Sequence, residues 1–440
     1  MLAAFQWFID LGVVVVLPIL ILIFGLALGT KLSVAFLAGI KVGIGFTGLN
    51  LVIGLMAGGL GSAAQAMVER IGIDLATIDV GWPAAAAISY GTILGSMSIP
   101  IGIGLNVLLI ILGLTKTMYV DLWNYWHAAF IGSLVFVITG SFGLGLLAII
   151  SYILFLFLFG DIVAPIISKF YGFNNLTFPH GIAIPGVFFA FPLNWLFDRL
   201  PIIKNLQADQ ESLQKKFGIF GETAILGFII GLVIGILAGY DIGGVGNLAI
   251  QTAAVLVIMP RMITLLMEGL LPISEAANAF VSKRFPGKEL YLGLDAALAV
   301  GHPTVLAASL VLIPITIVLA IILPGNTTIP FVDLATIPFA ICLMVPIFKG
   351  NIVRTIISGT IYMASLLWIA SWVAPLVTQA AIYSDFDLAG HASITAMISG
   401  GQTTTLLYVV LSRFGWVGLG VITVTGLLGM IYMHKILTKR

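Results

Sequence analysis

Asp295 stands in the run Gly293-Leu294-Asp295-Ala296-Ala297, with apolar residues on nearly every side. A carboxylate at the centre of a membrane span costs about 2.5–3.5 kcal/mol on insertion scales, so it needs a polar cavity or a partner. Facing a cavity, it accepts hydrogen bonds from the hydroxyls of a bound molecule or serves as a base toward one. The competing reading is a carboxylate capping a helix N-terminus. His127, His180, His302 and His391 also sit beside interruptions in apolar sequence, while His434 lies in the basic tail. Pro179 and Gly181 flank His180 and expose backbone and imidazole together. His127 follows Trp123-Asn124-Tyr125-Trp126. Aromatic faces beside hydrogen-bonding groups such as Asn124 suit a sugar or polyol, whose C–H faces pack on rings while its hydroxyls pair with polar groups. For His127 and His180 a packing role weighs equally, and for His302 and His391 the structural role leads. Trp82, after Asp79-Val80-Gly81, and Gln402, in Gly400-Gly401-Gln402-Thr403, offer a stacking ring and an amide. Tryptophan also gathers at membrane interfaces. Glu222 lies at the edge of an apolar stretch, where a helix cap or gate contact is the first expectation.

Other motifs lead nowhere. Gly43-x-Gly45-x-x-Gly48 has dinucleotide spacing, but it lies within an apolar stretch without the strand–turn–helix setting, so close helix packing explains it. Gly29-Thr30-Lys31 is not a phosphate-binding loop, and the histidines form no HExxH pattern. No cofactor or metal is therefore expected. Cys342 is the only cysteine and reads as a small buried hydrophobe. The net charge of +1 gives no reason to expect a nucleic-acid partner. Met1 to Asp10 lacks a basic leader region, so the first apolar stretch is expected to remain in the protein.

The elements that must hold these residues follow from composition. Of 440 residues, 60% are hydrophobic and 8% charged, against about 45–50% and ~25% in soluble domains. Such a chain cannot cover a soluble surface, and its solvent is lipid. The expected class is an all-α polytopic membrane protein of about eleven transmembrane helices. Candidate spans are Ile9–Leu28, Leu32–Leu55, Ile99–Leu114, Ala224–Ala238, Ala249–Leu270, Thr304–Leu323, Thr336–Phe348, Thr355–Val373 and Gly415–Tyr432. The stretch His127–Phe159 is long enough to hold two helices. Glycines such as Gly227/Gly231/Gly235/Gly239 recur at a spacing that lets helices approach closely in a bilayer.

Four apolar stretches are broken by Pro, Gly, Ser, Thr or His: Trp82–Ser98, Pro179–Phe197, Leu294–Pro303 and His391–Thr405. Irregular backbone at membrane depth survives only where protein covers it or water reaches it, so these read as re-entrant or discontinuous. The chain also matches itself at a nearly constant offset. Gly81 falls on Gly293, Val120-Asp121-Leu122 on Val332-Asp333-Leu334, Val163-Ala164-Pro165 on Val373-Ala374-Pro375, and His180 on His391. Paired interruptions in matching halves point to a transporter site at the midplane between inverted repeats. The basic stretch Asp198–Lys216 and the C-terminal tail are expected in the cytoplasm, which puts the N-terminus outside.

The runs Asp79-Val80-Gly81-Trp82-Pro83, Pro179-His180-Gly181, Lys216-Phe217-Gly218-x-x-Gly221-Glu222, Gly239-Tyr240-Asp241, Gly293-Leu294-Asp295-x-Ala297 and Gly301-His302, with Pro324-Gly325-Asn326 and Asp333-Leu334-Ala335-Thr336-Ile337, resemble the galactitol-type IIC component of the bacterial phosphoenolpyruvate-dependent sugar phosphotransferase system. The resemblance implies a homodimeric permease related to the ascorbate transporters of that system. It implies a scaffold domain (1–75 and 215–290) that carries the dimer contact. A mobile core (76–200 and 291–414) would hold two re-entrant hairpins, and 415–440 would form a C-terminal helix and tail. It further implies that a cytosolic IIB protein, charged through IIA, phosphorylates the sugar from a phosphocysteine. The chain departs from the family pattern at Ala84-Ala85-Ala86-Ala87, Thr223, Ala296 and Gln402, positions that bear on which polyol is bound. The expected function is a polyol permease of this system. An ion-coupled secondary transporter, with Asp295 and His180 as proton carriers, is the alternative, and a lipid-modifying membrane enzyme lacks the metal or nucleophile constellation it would need.

Overall fold

The computed structural model describes residues 13–56, 58–59, 62–71, 75–121, 123–173, 175–204, 223–284, 290–386, 388 and 391–437. The first half of the chain forms α1 (Val13–Ala27), α2 (Leu32–Met56), α3 (Ser62–Ile71), β1 (Thr77–Asp79), α4 (Gly81–Tyr90), α5 (Ile93–Ile111), β2 (Thr117–Tyr119), α6 (Trp126–Thr139), α7 (Phe142–Tyr171), β3 (Leu176–Thr177) and α8 (Ile184–Phe197). The second forms α9 (Thr223–Ala238), α10 (Ile242–Arg284), β4 (Tyr291–Gly293), α11 (Pro303–Ile322), β5 (Thr328–Ile329), α12 (Ile352–Tyr383), β6 (Ile394–Thr395), α13 (Thr403–Ser412) and α14 (Gly415–Leu437). Among the described residues, five helices are long and apolar enough to cross a membrane, and shorter apolar helices accompany them.

Local chemistry explains most boundaries. The His127–Phe159 stretch divides as expected, because Gly140 closes α6 in a left-handed conformation (φ 64°) and Ser141 caps α7. The expected span Thr336–Phe348 is corrected: it is three short helical turns, Val332–Thr336, Ile337–Ile341 and Met344–Ile347. Pro338 and Pro346 lie in this stretch, and each removes a backbone donor and crowds the preceding turn. The four broken segments are interrupted at Gly91-Thr92, before Ile184, at Gly301-His302 and at Gln402.

Glycines set the helix contacts in the first and third quarters of the chain. Pro18 of α1 lies against Gly39 and Gly43 of α2, and Met262 of α10 against Gly48, so the false dinucleotide motif is a packing surface. Gly231 and Gly235 of α9 face Leu248, Ala249 and Val245 of α10 at backbone contact. Lys41 and Glu268 pair at 2.9 Å across α2 and α10.

Two small sheets, both wholly parallel, organise the remainder. Their strand orders are β5-β1-β6 and β2-β4-β3. The central strand of each comes from one half of the chain, and both of its neighbours come from the other. Thr77 and Ile78 pair with Thr328 and Ile329, while Ile78 and Asp79 pair with Ile394 and Thr395. In the second sheet Tyr119 and Thr177 both flank Gly293.

The long helices α7 and α12 share further detail. Each starts on a side-chain cap, Ser141 or Asn351, and each carries a proline at the corresponding position, Pro165 or Pro375. They run in opposite directions: Phe136, beside the start of α7, meets Tyr383 at the end of α12 at 5.6 Å, and Phe170 at the end of α7 lies by Gly350, ahead of α12. Asp161 of α7 accepts from Thr115 Oγ1 (2.9 Å), Thr117 Oγ1 (2.8 Å) and the Lys116 N–H, holding the entry to β2. Ser371 of α12 holds the entry to β5 through the Thr327 N–H and the Thr328 hydroxyl, each at 2.9 Å. Thr177 donates to Gly160 O on α7, and Thr395 to Ala370 O on α12. These strand positions correct one pairing. His391 precedes β6 and is exposed, whereas His180 follows β3 and is buried, so Thr177 corresponds to Thr395 and His180 has no histidine counterpart.

Candidate functional site

Parallel strands bring their C-terminal ends to the same edge, where ligands of parallel sheets commonly bind. In the β2-β4-β3 sheet that edge receives three chain segments at once. Asp121 and Asn124 follow β2, Asp295 follows β4, and His180 follows β3. The Asn124 amide donates to Asp121 Oδ2 at 2.6 Å and to Asp295 Oδ2 at 3.0 Å, joining the two halves of the chain. Asp295 Oδ1 also accepts the Ala297 N–H at 2.8 Å, as the capping reading anticipates. His180 Nε2 lies 3.6 Å from the same oxygen, within ion-pair range and beyond a hydrogen bond. The Asp295 side chain remains 18% exposed, while His180 is buried.

The two histidines have defined hydrogen-bonding roles. His127 Nδ1 lies 2.9 Å from the Asn124 carbonyl oxygen, which only accepts, so Nδ1 carries the proton and Nε2 presents a lone pair. That Nε2 is buried without a partner. His180 Nδ1 accepts the Ile182 N–H at 3.2 Å, so its Nε2 is the donor. The rings stand edge to face at 4.7 Å. Gly181 makes this approach feasible, because any Cβ there would collide with the His127 ring. Trp126 stacks on His127 at 4.0 Å, and Trp82 reaches Trp126 at 6.3 Å. Phe339 covers His180 at 5.8 Å.

Trp82 belongs by its backbone to the other sheet. There Asp79 Oδ1 accepts the Gly81 and Met397 N–H groups at 3.0 and 2.8 Å, and Oδ2 accepts those of Phe331 and Asp333 at 3.0 and 2.8 Å. Asp333 accepts the Trp82 N–H at 2.9 Å and the Ile398 N–H at 2.8 Å. Both carboxylates are fully buried. Gly81 is left-handed (φ 72°) and packs against Val332, which leaves no room for a side chain at the turn into α4.

Of the residues singled out in the sequence, Asp295, His180, His127 and Asn124 thus form one cluster, and Trp82 adjoins it through Trp126. Gln402 lies beyond β6, at the end of the other sheet, where Thr404 donates to its Oε1 at 3.2 Å and its amide nitrogen is buried without a partner. His302 caps α11 through Nδ1 and the Thr304 N–H at 3.3 Å and packs on Phe170 and Tyr171, so its place is structural. His391 is exposed, away from the cluster. Glu222 lies outside the described residues. Sequence reasoning missed the parts played by Asp79, Asp121, Asp161 and Asp333. The rule that drew attention to Asp295, an ionisable residue in apolar surroundings, applies equally to Asp161.

Comparison with known proteins identifies the family of the chain. A family model described as PTS system sugar-specific permease component matches residues 7–391. The PTS system galactitol-specific EIIC component of Escherichia coli K12 is 40% identical over 426 residues, covering 96% of this chain and 94% of that protein. A putative permease IIC component of the same strain is 38% identical over 432 residues, 97% of each chain. Apolar helices of membrane-crossing length, two sheets buried among them and an extended match to these permeases agree: the chain belongs to the sugar-specific permease (IIC) family of the phosphotransferase system, a multi-pass protein of the bacterial inner membrane.

Proposed function

We propose that this chain binds galactitol or a closely related polyol from outside and delivers it to the inner face for phosphorylation by a separate IIB protein. The observation that supports this reading most directly is the cluster of Asp295, Asn124, His180 and His127. Three parallel strands from both halves bring these groups to one edge, and aromatic rings adjoin them. A polyol hydroxyl both donates and accepts, so it can satisfy a carboxylate and two imidazoles of opposite role. Cys342 is buried and donates to the Phe339 carbonyl, which accords with a phosphate carrier on another polypeptide.

The transport unit in this reading is the core, 76–200 with 291–414, moving in an elevator-like manner against a scaffold of 1–75 and 215–290 that also carries a homodimer contact. Interleaved sheets favour that division, because they tie the two core segments into one body. The two core segments are read as inverted repeats within a protein of about eleven spans. The antiparallel course of α7 and α12, their matching prolines and the repeated threonine bonds to Gly160 and Ala370 support this. Ala85 and Ala86, two of the departures from the family pattern, are buried in packing and offer no hydroxyl, so the choice among polyols falls to the groups around Asp295.

The test is uptake of labelled galactitol in cells with and without the cognate IIB protein. Phosphorylated product should appear only when IIB is present. Unmodified sugar accumulating without it, or uptake into proteoliposomes on a pH gradient alone, defeats the reading and favours ion coupling.

A further inference from the structure

Asp121 stands behind the cluster rather than in it. It is 2% exposed, against 18% for the Asp295 side chain, and its Oδ2 accepts the Asn124 amide at 2.6 Å. The same amide nitrogen gives its second proton to Asp295 Oδ2 at 3.0 Å. A carboxylate accepts and does not donate, so the NH2 end of Asn124 faces both partners and the amide has one orientation. The Asn124 backbone carbonyl in turn holds His127 Nδ1 at 2.9 Å. The Tyr119 and Tyr125 hydroxyls are also buried in this neighbourhood, but both are without a partner, so neither donates to Asp121.

The second half of the chain shows what this arrangement departs from. The self-match that lays Asp121 on Asp333 also lays Asn124, three residues on, upon Thr336. Short 3-10 turns follow in both places, Trp123–Tyr125 and Val332–Thr336, and the Thr336 side chain likewise bonds to Asp333. A threonine hydroxyl has one proton, which its aspartate uses up. An asparagine amide has two, and the second crosses to the other half of the chain.

We propose that Asp121 is a positioning residue for the polyol site: it orients the Asn124 amide, and the amide holds the Asp295 carboxylate in the direction from which a bound hydroxyl meets it. The inference rests on the permease reading above and adds to it a residue that touches no substrate. Hydrogen bonds to a carboxylate are roughly twice as strong as neutral ones, so Asp121 is the firmer of the two anchors at 2.6 Å. Without it one amide N–H is left unpaired in an enclosed place, and the cost of that is relieved by turning the amide. Half a turn sets the Asn124 oxygen against Asp295 Oδ2, and two acceptors repel. The carboxylate then leaves its place, although nothing that touches the guest has been altered.

The experiment is titration calorimetry of the full-length protein in detergent with galactitol, joined to a structure of the Asp121→Ala variant. Asp121→Ala should weaken galactitol binding by about tenfold or more, and Asp121→Asn, which keeps an acceptor oxygen in place, should stay within about threefold of wild type. Asn124→Thr copies the second half of the chain: it keeps a donor for Asp121 and gives up the one for Asp295, so it too should lose about tenfold. Adding Asp121→Ala to Asn124→Thr should cost nothing further, because Asp121 acts through the donor already removed. A merely structural lesion adds its effect to that of Asn124→Thr, giving about 100-fold in the double variant, and that result overturns the proposal. So does an Asp121→Asn variant as weak as Asp121→Ala, or an Asp121→Ala variant that binds as wild type. In the structure of Asp121→Ala, the Asn124–Asp295 contact of 3.0 Å should lengthen past hydrogen-bond range. If it stays, the proposal is wrong whatever the ligand; if no hexitol binds the wild type, the polyol reading falls and the structure alone decides the role of Asp121.

Discussion

The two sheet edges contain the same kind of residue in opposite conditions. At the β5-β1-β6 edge, Asp79 accepts four backbone N–H groups and Asp333 two, and neither carboxylate is reached by solvent. At the β2-β4-β3 edge, Asp295 accepts one backbone N–H and one side-chain amide, retains spare lone pairs and is partly open. The first arrangement spends its acceptors on the chain itself and works as a clasp across the two halves. The second keeps capacity for a guest. A buried carboxylate is therefore informative about function only after its donors have been counted.

Substitutions can break or sharpen this contrast. The largest effect is expected at Asp79. Each of its four N–H partners costs about 1–3 kcal/mol when left unpaired, so Asp79→Ala should lose on the order of 4 kcal/mol or more. It should yield no monodisperse peak on size exclusion; a variant as thermostable as the wild type would show that Asp79 is no clasp. At the other edge, Asp295→Asn and His180→Ala should each weaken galactitol binding by about 100-fold, as loss of a hydrogen bond to a charged group implies. Their elution and melting temperature should stay close to wild type. Normal affinity in both would move the site elsewhere.

The equivalent helices give a subtler contrast. Asp161→Ala strands two threonine hydroxyls and a backbone N–H, and should destabilise by about 2–3 kcal/mol. Ser371→Ala at the corresponding place should cost about 1 kcal/mol, and thermal melts in detergent would rank the pair. Equal losses would argue against distinct roles for the two helices. Smaller still is His302→Ala, where a lost helix cap costs about 1 kcal/mol and leaves galactitol affinity unchanged. His391→Ala, on an exposed residue, should alter neither quantity; a drop in binding there would bring that loop back into the site.

How far the sequence led varied with the range of the interactions. The helix break at Gly140, the glycine contacts of α9 with α10 and the interruption at Gly301-His302 all have local causes and were legible. The cluster around Asp295 was also foreshadowed, because a carboxylate and two histidines beside Pro, Gly and aromatic residues are costly in lipid. The strands were not legible, since two or three residues carry no period and their partners lie in the opposite half. Thr336–Phe348 looked like a span because its composition is apolar, while Pro338 and Pro346 break it into turns. His391 was matched to His180 by order and a nearly constant offset, and only strand position shows that the second half has a longer approach to β6. Asp79 and Asp333 entered only as parts of motif runs, because nothing in their own neighbourhoods reveals that most of their donors come from far along the chain.

The interleaving of the sheets also sets a timetable for synthesis. β1 emerges early from the ribosome, yet its second neighbour, β6, does not exist until residue 395 has been made. Through that interval the Asp79 carboxylate has the Gly81 N–H from its own half and gains those of Phe331 and Asp333 with β5, while the β6 side of Thr77–Asp79 stays unpaired in a lipid environment that tolerates few bare polar groups. Contacts so distant along the chain are slow to close. Assembly of the sheet is therefore complete only when the last strand arrives, and a truncation just before β6 should strip Asp79 of the Met397 N–H and leave the nascent protein for the quality-control proteases.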